Sequence, residues 1–222
     1  MVSATGLQDD VVRIDGATPL LASTIDALQA VCDRIEDGLG AGLTTISVSG
    51  VPVAGWTRRL SVGLISKWER VLRRWERLDA PTAAVADGDC GGPALDALLA
   101  TDFRVARPGT RLFVTVDGDA TWPGMALYRL ARQSGAGVIR RAALLGAPLS
   151  AEQAHSLGLL DEVVDDPGPA LLGLAALTEG IAGKELAIRR QLLTDAWHTS
   201  FEDALGSHLA ACDRALRRGA GS

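Results

Sequence analysis

Two isolated carboxylates are the side chains in this sequence best placed to move a proton. Asp96 stands between apolar neighbours in the run ALDAL, and Asp117 directly follows the run FVTV. A carboxyl group in apolar surroundings can have a raised pKa and act as a general acid or base. The alternatives are an exposed helix face for Asp96 and a turn for Asp117. Taken singly, each residue is more often structural.

A glycine-rich stretch, DGDCGG at 87–92, precedes Pro93 and could bind an anion. We predict a strand at 83–86, a turn at 87–92 and a helix at 93–100, with Pro93 in the first turn where a missing N–H costs nothing. The free N–H groups of a helix start can hold a phosphate or a developing oxyanion. A tight strand-to-helix connection that needs glycine is the commoner explanation of so short a pattern.

The elements that must position these residues alternate between strands and helices before a helical tail. Apolar runs predict strands, and apolar residues at helical spacing predict helices. This order predicts an α/β layered domain with an α-helical appendage. Further strands are predicted at 11–14, 43–48, 103–106 and 112–116, and further helices at 23–37, 64–78, 124–133, 151–157, 171–181, 184–197 and 201–217.

The helix at 64–78 has the clearest pattern, with an apolar face that includes Trp68 and Trp75. Its opposite face carries four arginines, at 70, 73, 74 and 77. Such a face could bind a nucleotide phosphate, but charge on the outer side of an amphipathic helix is ordinary, so we favour a solvated face.

Composition and charge exclude several classes of protein. The chain has 222 residues and a net charge of −5, and 47% of its residues are hydrophobic. These values are typical of one globular domain, and without a basic stripe they disfavour nucleic-acid binding. The sequence shows neither a secretory signal nor a membrane span. Three scattered cysteines, and three histidines without partners at ligand spacing, predict a reducing cytoplasm and no metal site.

Four ordered motifs resemble the crotonase (enoyl-CoA hydratase/isomerase) superfamily. The run LDAPTAAVADG at 78–88 is similar to the family's L-x-K-P-x-I-A-A-V-N-G, and LLATDFRVA at 98–106 is similar to A-x-x-C-D-x-R-x-A. The segment from Trp122 to Gly135 is similar to P-G-x-G-x-x-x-L-x-R-x-x-G. The segment from Gly146 to Val164 is similar to G-x-x-x-x-A-x-x-A-x-x-x-G-L-V-x-x-V-V. The resemblance covers about residues 44–214.

This resemblance implies a crotonase-like spiral of ββα units, with residues 1–168 as the α/β core and 169–222 as a C-terminal helical oligomerisation region of the same domain. It implies an acyl-CoA ligand, no tightly bound cofactor, and a trimer or hexamer. In hydratases of this family two Glu carboxylates activate water, and two backbone N–H groups form an oxyanion hole that stabilises an enolate.

The site positions of the family match this sequence only in part. By the ungapped spacing from Gly88, Asp96 falls at the first catalytic Glu, and Asp117 falls at the second, counted from Phe113. Pro93, which has no N–H, falls at the glycine that supplies half of the oxyanion hole. Gly92 and Ala94 are alternative donors in that half. For the other half, the only candidates are Ala54 and Gly55 in the run VAGW.

The tryptophan- and arginine-rich helix at 64–78 and the run DGDCGGP at 87–93 most resemble, within the superfamily, an accessory subgroup that works beside a type III polyketide synthase. That synthase consumes malonyl-CoA, and the product is 3,5-dihydroxyphenylacetyl-CoA, a precursor of the dihydroxyphenylglycine of glycopeptide antibiotics. The resemblance implies that the chain assists in dehydrating and aromatising a polyketide-CoA, beside related crotonase-like proteins. Two alternatives stay open, namely a non-catalytic partner that stimulates the synthase and an ordinary enoyl-CoA hydratase or isomerase.

Overall fold

The computed structural model describes residues 11–39, 42–118, 120–121, 124–181, 183–197 and 199–219. The strands are β1 (Val12–Asp15), β2 (Thr44–Gly50), β3 (Thr82–Gly91), β4 (Phe103–Ala106), β5 (Arg111–Phe113), β6 (Val116–Asp117), β7 (Ala120–Thr121), β8 (Leu149–Ser150) and β9 (Glu162–Val163). The helices are α1 (Ala22–Glu36), α2 (Val62–Trp75), α3 (Pro93–Leu99), α4 (Ala126–Ser134), α5 (Arg140–Leu145), α6 (Ala151–Ser156), α7 (Pro167–Thr178), α8 (Gly183–Asp195) and α9 (Phe201–Gly219). The alternation predicted from the sequence is therefore confirmed.

A seven-stranded mixed sheet forms the centre of the molecule. Its main path runs β1-β2-β3-β4-β9 with parallel neighbours, and β5 joins β3 in parallel. β8 pairs with β5 in the antiparallel sense, whereas β6 and β7 form a separate hairpin. The first half of β3 and most of β4 are buried, because helices cover this central part of the sheet.

The glycine-rich stretch at 87–92 was predicted as a turn, and that prediction is wrong. β3 continues to Gly91, because its second half has a partner of its own. Residues Ala83–Ala86 pair with β4, and Asp89–Gly91 pair with β5. Only Gly92 remains between the strand and α3, which begins at Pro93 as the sequence predicted.

The strand predicted at 112–116 is divided in the structure. Its first part lies in β5, which ends at Phe113, and its last residue opens the hairpin of β6 and β7. Val114 and Thr115 between them are buried. The chain leaves β3 at this point because β3 itself ends at Gly91, the partner of Phe113.

Helix α2 packs its apolar face into the core. Trp68 and Trp75 are fully buried. The arginines of the opposite face lie toward solvent, in agreement with the solvated face that we favour from the sequence. Arg74 forms ion pairs with Asp33 at 2.6 Å and with Glu36 at 2.6 Å, both from α1, on the protein surface.

Arg104 connects four segments of the chain from a buried position in β4. Its guanidinium donates to the carbonyl oxygens of Leu98 and Leu99 at the end of α3, and to those of Thr101 and Leu159. It also donates to the side chain of Gln133 on α4 at 2.8 Å. Burial lowers the pKa of this arginine to about 10, so it remains charged at neutral pH.

Helix α8 is attached to the core by Arg190. Its guanidinium forms a bidentate pair with Asp102 at 2.6 and 2.7 Å, and it also donates to the carbonyl oxygens of Leu78 and Ala80. Asp102 in turn accepts from the N–H and hydroxyl of Thr82, which begins β3.

Among the described helices, none combines the length and the apolar composition that a bilayer span requires. The predicted division at residues 168 and 169 stays a prediction.

Candidate active site

The start of α3 lies against the loop that follows β2. Gly92 has φ +53° and leads into Pro93, and its backbone approaches so closely that a Cβ there would lie 2.5 Å from Cγ of Pro52. The ring of Trp56 lies on the same side. The structure therefore brings the loop with the two oxyanion candidates, Ala54 and Gly55, to Gly92 and Pro93. Pro93 is buried as the first helical residue and offers no N–H.

The Gly55 N–H is already occupied by a carboxylate. It donates to Oδ1 of Asp117 at 2.6 Å, and the N–H and hydroxyl of Thr57 both donate to Oδ2. These donors, with the Thr57 hydroxyl first, hold the pKa of Asp117 below its usual value, so the side chain is ionised at neutral pH. The Ala54 N–H makes no hydrogen bond to the described part of the chain, and Ala54 itself is exposed.

Asp96 has the opposite environment, on the first turn of α3 and with no exposed surface. Oδ2 accepts a long hydrogen bond of 3.4 Å from the indole Nε1 of Trp68, and Oδ1 has no partner within the described residues. Burial and the negative charge of Glu69 raise the pKa of Asp96 to about 7, whereas the charge of Arg129, the Trp68 indole and the backbone N–H of Ala126 oppose the rise. Asp96 is thus close to half-protonated at neutral pH.

The two carboxylates therefore have separate partners. Asp117 binds the loop after β2, and Asp96 faces Trp68 on α2. The structure thus supplies an ionised carboxylate and a second carboxyl that is partly protonated at neutral pH, which is the kind of difference that acid and base roles require. Their assignment to those roles stays a prediction, as does the oxyanion hole.

Thr115 adds a polar atom to the same region. Its methyl Cγ2 lies 2.7 Å from the position of a Cβ on Gly91, and its hydroxyl is buried without a partner in the described ranges.

Among the described residues no cluster of His, Cys, Asp and Glu is arranged to hold a metal ion. Trp122 and Pro123 of the third motif lie outside the described residues.

Sequence reasoning missed the charged residues around Asp96. Trp68 was predicted only as a core residue, and Glu69 and Arg129 were given no role. One signal was available, because Arg129 lies at an apolar position of α4, beside Leu130. A charged residue at such a position is rarely buried without a partner.

Comparison with solved structures defines the class of protein by its fold. An enoyl-CoA hydratase/isomerase family protein from Silicibacter pomeroyi superposes with a TM-score of 0.78 at 17% identity, covering 92% of this chain and 94% of that one. An enoyl-CoA hydratase from Shewanella pealeana gives a TM-score of 0.77 at 15% identity, covering 92% and 80%. The predicted α/β fold of the crotonase type is therefore confirmed.

Sequence comparison defines the family. The chain is 57% identical over 212 residues to a protein from Amycolatopsis orientalis described as an enoyl-CoA hydratase, covering 96% of this chain and 98% of that protein. No family model matches the chain. The chain belongs to the enoyl-CoA hydratase/isomerase (crotonase) superfamily.

Proposed function

We propose that the chain is a cytoplasmic accessory protein that helps to form 3,5-dihydroxyphenylacetyl-CoA, in the manner of DpgB. It would act on an acyl-CoA thioester, with no tightly bound cofactor, beside a type III polyketide synthase that consumes malonyl-CoA and beside related crotonase-like proteins. Family membership supports the acyl-CoA ligand. The subgroup motifs, above all the DGDCGGP run at 87–93, support the pathway.

The observation that carries a catalytic role is the buried carboxyl of Asp96, whose Oδ1 has no partner in the described ranges. A polyketide-CoA loses water when a base takes the proton next to the thioester and an acid protonates the leaving hydroxyl. In our proposal the Asp96 proton goes to that oxygen as the carbon–oxygen bond breaks. Asp117 takes the carbon-bound proton, and the electron pair of that C–H bond forms the double bond. Aromatisation of the product favours the reaction.

The alternative of a non-catalytic partner is favoured by the oxyanion region. Pro93 lacks an N–H, and the Gly55 N–H is taken by Asp117 at 2.6 Å. Removal of one oxyanion donor costs about 10²- to 10³-fold in rate in a well-studied protease. Three donors to Asp117 also make it a weak base. In this alternative the chain binds the synthase and stimulates it without touching the reacting atoms.

Reconstitution separates these roles. The synthase and malonyl-CoA are incubated with the wild-type chain or with Asp96→Asn, and 3,5-dihydroxyphenylacetyl-CoA is quantified by mass spectrometry. Under the catalytic proposal product falls at least tenfold with Asp96→Asn, and also with Asp117→Asn. Stimulation that survives both substitutions refutes the catalytic role and supports the partner role. Absence of any effect of the wild-type chain on the synthase refutes the pathway.

A simple enoyl-CoA tests the third possibility, an ordinary hydratase or isomerase. We expect the purified wild-type chain to hydrate crotonyl-CoA slowly or not at all. Pro93→Gly and Pro93→Ala both restore an N–H at position 93, and Ala does so without the extra flexibility of glycine. A rate increase in both variants supports the proposed register of the oxyanion hole. Fast hydration by the wild-type chain contradicts it and supports the ordinary enzyme.

Assembly through the C-terminal helices is the remaining part of the proposal. Apolar side chains of α8 and α9 are exposed, and a cavity of about 430 Å³ lies where the helices meet. Contiguous exposed apolar surface usually marks an interface. The large exposed apolar residues described on these helices and between them are Leu193, Trp197, Phe201, Leu205, Leu209 and Leu216. Sedimentation should give a trimer or hexamer at micromolar concentration, and a monomer there contradicts the proposal.

A further inference from the structure

An ion-pair network lies near enough to Asp96 for two of its members, Glu69 and Arg129, to act on the Asp96 carboxyl through their charges. Arg129 of α4, only 6% exposed, reaches one carboxylate on α2 and one at its C-cap: its Nη1 lies 3.0 Å from Oε2 of Glu69, and its Nε lies 2.8 Å from Oε1 of Glu76. The two glutamates are seven residues apart, and because the C-cap Glu76 keeps a helical backbone, both lie on the same side of the helix. The network therefore fixes α4 against the helix that carries Trp68.

Glu69 joins this network to the site in a second way. Its Oε1 accepts from the N–H of Met125 at 3.3 Å, which sets the start of α4. Its chain neighbour Trp68 is fully buried and donates its indole N–H to Asp96. Movement at Glu69 would thus displace both α4 and the donor to the Asp96 carboxyl.

The charges of the network are balanced without Asp96. Glu69 and Glu76 are matched by the guanidinium groups of Arg129 and Arg73, the latter 2.8 Å from Oε2 of Glu76. An ionised Asp96 would add a negative charge that no described side chain pairs with. Such an unpaired buried charge is costly, so the neutral carboxyl is the favoured form.

Of the elements packed against α3, α2 and α4 supply the charged groups that face Asp96, namely Glu69 and Arg129. The strands β1, β2 and β3 also contact α3. They contribute buried apolar residues and the thiol of Cys90, which stays protonated because burial raises its pKa to about 12.

We propose that Glu69 is a positioning residue that holds the Asp96 carboxyl as a neutral acid, with Oδ1 available to a bound ligand, and that Arg129 holds Glu69 in its position. The identity of that ligand rests on the proposed function, but the arrangement itself does not. Glu69 opposes loss of the Asp96 proton by its like charge, and Arg129 limits that effect. Trp68 occupies Oδ2 and leaves the proton to Oδ1.

The indole of Trp68 allows this arrangement to be tested without substrate. In the full-length protein labelled with ¹⁵N, the indole N–H signal of Trp68, assigned with Trp68→Phe, is followed from pH 5.5 to 9. We expect it to titrate with a midpoint near 7 and to stop titrating in Asp96→Asn. Glu69→Gln removes a like charge and should lower the midpoint by about one unit, the usual scale for a neighbouring charge.

Two further variants complete the experiment. Arg129→Gln should raise the midpoint by about one unit, and Glu162→Gln, which removes an exposed charge from β9, should leave it unchanged. A midpoint that stays fixed in Glu69→Gln overturns the proposal even if Arg129→Gln does not fold. The titration uses no acyl-CoA, so its failure can be distinguished from a failure of the proposed acyl-CoA reaction. If dehydration is observed, its pH profile should shift with the midpoint.

Discussion

Replacement of Asp96 by Asn should change how the stability of the protein depends on pH. The pKa of Asp96 is about 7 in the folded protein and near 3.8 in the unfolded chain. Between these values the folded state keeps a proton that the unfolded state has lost, so the free energy of unfolding falls as pH rises. Each pKa unit corresponds to about 1.4 kcal/mol, so the full loss is about 4 kcal/mol.

Part of this loss of stability can be measured at pH values above the isoelectric point. Between pH 6 and pH 8 the Asp96 carboxyl should reduce the free energy of unfolding by about 1.4 kcal/mol, the value of one pKa unit. Asp96→Asn has no proton to lose, so its curve against pH should lack this fall. The amide introduces a buried donor without a partner, which costs about 1–3 kcal/mol at every pH. Because about 3 of the 4 kcal/mol are already lost at pH 6, the variant should be at least about as stable as wild type at pH 6 and clearly more stable at pH 8.

Urea denaturation at several pH values, followed by circular dichroism, measures both curves. Asp117→Asn is the matched control, because its pKa is lowered in the folded protein. Asp117 is ionised in both states across this range, so its contribution is constant and is lost only as pH falls below about 4. Parallel curves for wild type and Asp96→Asn would show that the Asp96 carboxyl is not held neutral, and would refute the reasoning.

Two further predictions concern the attachment of α8 to the core. Arg190→Met leaves the half-buried Asp102 unpaired and should lower the free energy of unfolding by about 3 kcal/mol; equal midpoints in urea for variant and wild type would contradict this. Gly183→Ala should also destabilise, because a Cβ there would lie 1.6 Å from the carbonyl oxygen of Asp79. The matched Gly173→Ala on α7, where a Cβ meets nothing within 4 Å, should instead raise the melting temperature, since Ala is favoured over Gly in a helix by about 1 kcal/mol.

The sequence predicted the long elements and the place of Asp96 on α3, because periodicity and an ungapped spacing carry that information. It could not predict that 87–91 continue as a strand. The partner of that segment is β5, three residues long and about twenty positions away, and local glycine preference suggests a turn instead. The strands of two residues have no pattern that periodicity can detect.

The surroundings of the two carboxylates also could not be predicted from the sequence. Asp117 is separated by about sixty residues from the Gly55 and Thr57 groups that bind it, and Arg129 is equally far from Glu69. Such contacts depend on how the loops and helices meet in space. The residue types indicated possible acids and bases, whereas their protonation states required the tertiary structure.

The hydrogen bonds of Arg104 have a consequence for how the protein opens. Its single guanidinium donates hydrogen bonds to the end of α3, to the carbonyl oxygens of Thr101 and Leu159, and to Gln133 on α4. None of these segments can separate from β4 without leaving a buried charge with missing partners. We therefore expect them to exchange their amide hydrogens as one cooperative unit, at a rate set by global unfolding rather than by local fraying.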